Sequence, residues 1–417
     1  MNSKQGFKET KFGLIPKDWE LDILKNRTDI TMGQSPSSVF YNNKGIGIPF
    51  MQGRKTFGDK YNTIDSWCTQ PKRIAKKNSI LMSVRAPVGD LNIANTELCI
   101  GRGLSSVNMK NGNNEFLYYL LKNFKNRIIS KETGTVFGSI NKSGIENLKL
   151  PFPNEKEQER IASILFSLDD KIELNNQINK NLEQIAEAIF KRWFIDFEFP
   201  NENGEPYKSS GGEMVDSKLG LIPKGWKIEK LKKNIRFVKG KKPKIILKEK
   251  SIELSKYLTI NVLLGKDYLY AHPNSAILAE KDNILMVMDG ASSGKIYFGE
   301  NGIVASTLAK VKILNNNLST EYMYHFLKYN ENEINNHTTG SAIPHTDKNF
   351  VLSLKIVLPD ANNIMFRKFN KTIGSIENKI IQNNDENKRL AKIRDSLLPK
   401  LMSGEIRVPI NIKEGDE

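Results

Sequence analysis

Cysteine and histidine are scarce in this chain of 417 residues, with two of the first and four of the second. Cys68 and Cys99 cannot supply a four-thiolate metal site or a disulfide framework, and the histidines have no ligand spacing, so structural zinc is not expected. Long apolar runs are missing as well. No stretch approaches the roughly 18–20 residues that cross a bilayer, and the opening MNSKQGFKETKFG lacks the apolar core of a signal peptide. A cytoplasmic protein with no membrane partner is expected. Negative charge is in deficit: 47 Asp and Glu face 63 Lys and Arg, for a net +16. That balance suits a chain that meets phosphates, although a genome biased toward Lys, Asn and Ile codons would produce it too.

Signatures of catalysis are also lacking. A nucleotide-binding loop needs Gly-x-x-x-x-Gly-Lys-Ser/Thr, because its amides wrap the phosphates. The nearest segment, Gly290-Ala-Ser-Ser-Gly294-Lys295, is one residue short and has no hydroxyl after the lysine, so it reads as a turn. Gly101-Arg102-Gly103 lacks the third glycine of a dinucleotide site. There is no Asn/Asp-Pro-Pro-aromatic motif of the amino-methyltransferase kind, and no Asp with Glu-x-Lys in strand context. The adjacent acids Asp169 and Asp170 read as a solvated helix face.

What is present is apolar material, 39% of residues with 20 Phe, 12 Tyr and 4 Trp, enough for two or more folded domains. The chain also repeats itself. GLIPKDW at Gly13 recurs as GLIPKGW at Gly220, and Gly33-x-x-Pro36 recurs as Gly240-x-x-Pro243. Ile80-Leu81-Met82 with Gly89 matches Ile284-Leu285-Met286 with Gly294. FLYYLL at Phe116 matches YMYHFL at Tyr322, and GTVFGSINK at Gly134 matches GSAIPHTDK at Gly340. A period near 200 residues is duplication of a whole domain, and two such units should pack about a pseudo-twofold axis. Alternating strands such as Ile80–Val84 and Asn283–Val287, with short helices such as Glu115–Asn123, predict a mixed α/β (α+β) fold.

Each copy ends on a coiled-coil pattern. Apolar positions alternate by four and three residues through Ile161, Leu165, Leu168, Ile172, Asn175, Asn179, Leu182, Ala186, Ile189 and Trp193, and again from Phe369 to Leu401 with Asn383 and Asn387. Seam asparagines cost stability and fix register. A twofold relation makes the helices antiparallel, setting Asn175 against Asn387 and Asn179 against Asn383. Arg394 is the misfit: either its head reaches solvent, or the seam shifts to Ile393. Thirty-three residues of helix from Ile161 to Trp193 span about 50 Å, a distance comparable with one to one and a half turns of DNA at ~34 Å each. Two core helices of separate domains remain the plainer alternative.

Candidate DNA-binding side chains cluster where loops are expected: Gln52, Arg54 and Lys55; Arg85 and Arg102; Ser139, Asn141 and Lys142. The second copy offers Lys239, Lys241 and Lys242; Lys295; His345, Asp347 and Lys348 as counterparts. Arg pairs with guanine, Asn or Gln with adenine, and Lys chiefly with phosphate.

The doubled GLIP-x-x-W, the following Gly-x-x-Pro, Glu157-Gln158 ahead of the first long helix, FKRWFIDF at Phe190–Phe197 and LLPKLMSGEIRV at Leu397–Val408 resemble the specificity subunit of type I restriction-modification complexes. The resemblance implies target recognition domains at 1–152 and 218–359, spacer helices at 153–199 and 360–408, a linker at 200–217 and a tail at 409–417. It implies that each domain reads half of a bipartite double-stranded DNA target and that the helices measure the spacer. They would also dock two methyltransferase (modification) subunits, with restriction/translocase subunits joining that core. The chain itself would hold no cofactor, S-adenosylmethionine, ATP and Mg2+ being expected on the partners. The second copy departs from the pattern at Asp360–Met365, where DANNIM replaces the Glu-Gln pair. An autonomous DNA-modifying enzyme and a non-catalytic protein scaffold stay open as alternatives.

Overall fold

The computed structural model describes residues 6–131, 138–340, 343–359 and 364–409. Gly134–Phe137 and Ser341–Ala342 of the repeated turns, and Asp360–Asn363 of the divergent segment, lie outside the described residues. The chain divides into two compact units, one formed by residues up to Leu174 together with those from Glu386 onward, the other by Asn175–Asp385.

In the first unit the buried run Ile80–Ser83 forms the inside of an antiparallel sheet with strand order Leu91–Ile93, Ile80–Ser83, Leu104–Met109, Thr28–Met32. Its apolar faces have no water to meet, so the strands read as continuous rather than alternating apolar segments. A second sheet runs Tyr41–Asn42, Trp67–Cys68, Ile48–Met51, Leu98–Ile100, Ile74–Ala75, in which Ile48–Met51 and Leu98–Ile100 are parallel. The helix Asn114–Asn123 buries every residue from Phe116 to Leu121. Tyr118 and Tyr119 meet Phe166 of the first long helix edge-on, at centroid distances of 6.5 and 5.5 Å.

The second unit repeats this plan, with four strands instead of five in its other sheet. Ile296–Tyr297, Ile284–Val287, Leu308–Ile313 and Ile235–Lys239 form its antiparallel sheet in the matching order. Ser255–Leu258 runs parallel to Gly302–Val304 in the other sheet, and Thr320–Tyr329, capped by the Ser319 hydroxyl, is the matching core helix. Mixed α and β structure, duplicated, is therefore what the sequence repeat encodes. The turn-rich residues after Phe199 fold onto this unit, where Tyr207 stacks on Phe199 and Phe199 on Trp226 at 4.5 and 5.2 Å.

Two long helices, Glu155–Phe190 and Ile364–Met402, contribute to both units. Asn154 caps the first by accepting from the Glu157 amide, and a single π turn at Lys191–Ile195 ends it. No position of the predicted seam is exposed. In the second unit Asn383 donates to Asn179 at 2.8 Å and Asn179 donates to Asn384 at 2.9 Å, while Phe190 packs beside Phe369. The two segments thus run antiparallel there, with the Asn179–Asn383 register read from the sequence.

Two expectations are corrected in the first unit. Arg394 does not yield its place to Ile393, which is 47% exposed; its head turns inward to donate to Asp169 at 2.5 Å and keeps only an edge in solvent, beside Asp395. Asp169 is not on a solvated face either. It is 7% exposed and also accepts from the Tyr119 hydroxyl, so a charge at a seam position is tolerated because its partner is buried with it. Asp170 pairs with Lys60, itself 5% exposed and lying over the Phe166 ring at 3.6 Å. Among the described residues no helix is long and apolar enough to cross a membrane.

The asparagine pair makes a direct test. Asn383→Leu alone should lower stability by about 1–3 kcal/mol, since it leaves the Asn179 carbonyl buried and unpaired. Asn179→Leu with Asn383→Leu should melt at or above the parent temperature, because both buried amides are then gone. Thermal denaturation of both variants decides it, and equal destabilisation would contradict the register.

Candidate nucleic-acid interface

In the first unit a chain of backbone hydrogen bonds stitches five loops together. The Gly33 amide donates to the Leu104 carbonyl, Gly103 to Gln52, Val84 to Gly103, and Ile140 to Val84, all within 2.9–3.1 Å. An added Cβ on Gly33 would stand 2.1 Å from the Gly101 carbonyl oxygen, so the Gly-x-x-Pro glycine is there for close approach of two backbones. Ser35 ties the surface of this frame: its hydroxyl donates to Gln52 and accepts from the Arg102 amide. Arg85 and Ser139 form an isolated antiparallel bridge at its edge.

The second unit repeats three of these four hydrogen bonds from different residues. Gly240 donates to Leu308, Met288 to Thr307 and Thr346 to Met288, and a Cβ on Gly240 would lie 2.1 Å from the Val304 carbonyl oxygen. The isolated bridge here is Asp289 with His345. Two assigned counterparts change as a result. Asp289, not Lys295, occupies the place of Arg85. Lys239 ends the strand equivalent to Thr28–Met32 and does not replace Gln52, whose place after the parallel strand falls to Thr259, the cap of a short helix. Lys295 lies on the hairpin where the Lys295 carbonyl accepts from Val287. The sequence reading missed these because it sought basic residues, whereas the equivalent places fall to an uncharged residue, Thr259, and an acid, Asp289.

The candidate side chains then separate by what holds them. Arg54 is paired with Asp90, which Lys125 shares, and Lys55 is paired with Asp65. Asn141 caps the helix Lys142–Glu146 by accepting from Gly144, and Lys142 lies 3.7 Å from Glu146. Arg85 and Arg102 are exposed and have no side-chain partner among the described residues. In the second unit Lys241, Lys242, Lys295 and Lys348 are exposed and free of ion pairs among the described residues, while Asp347 caps the helix that Lys348 begins. Lys239 and His345 are both drawn onto Asp289, at 2.8 Å each. Burial alone would raise the Asp289 carboxyl, but the hydrogen bonds from Lys239 and His345 outweigh it and hold the group below its ordinary value of 3.8. His345, Asp347 and Lys348 line one open cleft together with Asp289. Among the described residues no group of His, Cys, Asp and Glu is placed to hold a metal ion.

The comparisons with known proteins also find a duplication. The family profile described as "Type I restriction modification DNA specificity domain" matches residues 16–184 and again 185–394. The chain belongs to this family. A relative from Methanocaldococcus jannaschii, the "Type I restriction enzyme MjaIX specificity subunit", is 29% identical over 96% of both chains. The HindI specificity subunit of Haemophilus influenzae is 26% identical over 70% of this chain and 77% of its own length. In fold, the chain is similar to the crystal structure of a type I restriction-modification S subunit from M. genitalium, with a TM-score of 0.61 at 21% identity over 92% of this chain and 96% of that one. As a specificity chain it confers DNA sequence specificity through two recognition domains.

For a specificity chain the frame matters more than any single charge, because base reading needs loops held on rigid elements. Gly240→Ala should destabilise the second unit by more than about 2 kcal/mol through the carbonyl clash, leaving amide exchange in the first unit unchanged. The Asp289 clamp should contribute stability at pH values above the ordinary carboxylate range and lose it as pH falls through the lowered Asp289 value. An NMR titration should therefore place Asp289 below 3.8, and Lys239→Met should move it upward; a value above 3.8 in the parent would contradict the clamp.

Proposed function

We propose that each unit reads one half of a bipartite double-stranded DNA target while the long helices set the length of the unread spacer. One observation carries this reading: a single chain holds the same loop frame twice, with different side chains mounted on it. Matching frames give the two domains a common way of approaching a duplex, and different side chains let them choose different bases. The exposed cations Arg85, Arg102, Lys241, Lys242, Lys295 and Lys348 supply the phosphate and base contacts, and the net charge of +16 supplies the long-range attraction.

In this reading the chain is non-catalytic and gives the address to a complex. The relatives are named specificity subunits of restriction enzymes, which supports companions that carry the chemistry. Two methyltransferase subunits dock on the long helices, restriction/translocase subunits join them, and S-adenosylmethionine, ATP and Mg2+ belong to those partners.

Purified with its methylating partner, the chain should select one two-part site from random duplex DNA, and exchange of residues 6–152 for those of a relative should alter one half-site alone. Adding one turn to each long helix should change the accepted spacer and neither half. Affinity should fall steeply with salt through counterion release. Methyl transfer by the isolated chain, or equal binding to every duplex, would count against the proposal.

A further inference from the structure

The same backbone position carries opposite charge in the two units. In the first, Val84 donates to Gly103 and accepts from Ile140, and the next residue, Arg85, bridges Ser139. In the second, Met288 donates to Thr307 and accepts from Thr346, and the next residue, Asp289, bridges His345. Both side chains therefore start from a point fixed by hydrogen bonds on two sides, Arg85 exposed and Asp289 half-buried. Position is common to the two units; chemistry is inverted.

We propose that Arg85 and Asp289 are corresponding specificity-determining residues, Arg85 selecting guanine in one half-site and Asp289 selecting cytosine in the other. This rests on the two-part reading above and names the base chemistry within it. The Arg85 guanidinium is exposed and has no ion-pair partner among the described residues, so its two parallel donors are available to the O6 and N7 acceptors of guanine. Arg54 does not qualify, being held by Asp90.

Asp289 offers acceptors only. A carboxylate is repelled by the acceptor edge of guanine and accepts from the exocyclic amine of cytosine. A bare carboxylate would also be repelled by phosphates, and here Lys239 and His345 stand at 2.8 Å on its two oxygens. They orient it and offset its charge. Each oxygen keeps a second lone pair for a base amine. Lys239 and His345 thus act as positioning residues for Asp289.

The test uses the complex with its methylating partner and a library of duplexes randomised in both halves, sequencing the bound fraction. The parent complex should show guanine at one position of one half-site and cytosine at one position of the other. Arg85→Ala and Arg85→Lys should both relax the guanine by roughly 10- to 100-fold, leaving the other half-site unchanged. The lysine variant should keep the parent salt dependence, which separates base reading from phosphate contact. Asp289→Asn should move the cytosine preference toward adenine, whose N6 and N7 suit an amide. Arg85 is exposed, so an unaltered melting temperature certifies the folding of its two variants; Asp289 is half-buried in its clamp, and Asp289→Asn is certified instead by a cooperative melt and an unchanged preference in the other half-site. If the parent selects a two-part site and Arg85→Ala leaves every base preference intact, or weakens all sequences alike, the assignment is overturned. A parent complex that selects no two-part site overturns the underlying reading and this assignment with it.

Discussion

In each unit a short core helix is locked onto a long helix by one buried polar contact, and the placement of the reading loops depends on it. In the first unit Tyr119 donates to Asp169, whose other oxygen takes Arg394. In the second, at the matching positions, His325 meets Glu377 at 3.0 Å, both nearly fully buried. Apolar packing alone would let such helices slide, because it is non-directional. A buried hydrogen bond penalises any displacement that leaves its partners unpaired. The sheets pack on the short helix and the loops hang from the sheets, so the contact anchors the loops to the rods within each unit.

The two versions of this lock differ in what balances the acid. Asp169 has the guanidinium of Arg394, whose own burial, which disfavours charge, is outweighed by its hydrogen bonds to Asp169 and Asp395. Opposite Glu377 the seam offers Ala186 instead. A similar divergence separates the two tryptophans of the GLIP-x-x-W motifs. Trp19 donates to Glu157, a fully buried carboxylate that Arg407 also holds. Trp226 lies among Phe194, Phe197 and Phe199. Ancestral symmetry survived in the backbone while the two interiors settled on ionic and aromatic solutions of the same packing problem.

Much of this was legible in the sequence because it depends on periodicity. The seam, with Asn179 against Asn383, follows from spacings of three and four, and the doubled sheets follow from short motifs recurring in one order. Arg394 and Asp169 were illegible because a charged pair in a seam looks, one residue at a time, like a defect and a surface acid. The loop residues were only half legible. Arg85 could be picked out as a cation, but its true counterpart is an acid, Asp289, and a search for basic residues passes over it. Asn141 shows the opposite failure, since a side chain chosen for base reading is engaged in capping a helix.

The first unit is assembled from residues up to Leu174 and from Glu386 onward, whereas the second is continuous from Asn175 to Asp385. Leu398, Leu401, Met402 and Val408 complete the core around Trp19, and Arg407 neutralises Glu157. On the ribosome the order of maturation is therefore inverted: the domain translated first closes last. A product interrupted before residue 386 carries a finished second domain beside one whose buried carboxylate has no cation and whose tryptophan is uncovered. Such an open core is the kind of state that chaperones and proteases act on, so the second unit alone cannot keep an interrupted chain folded throughout.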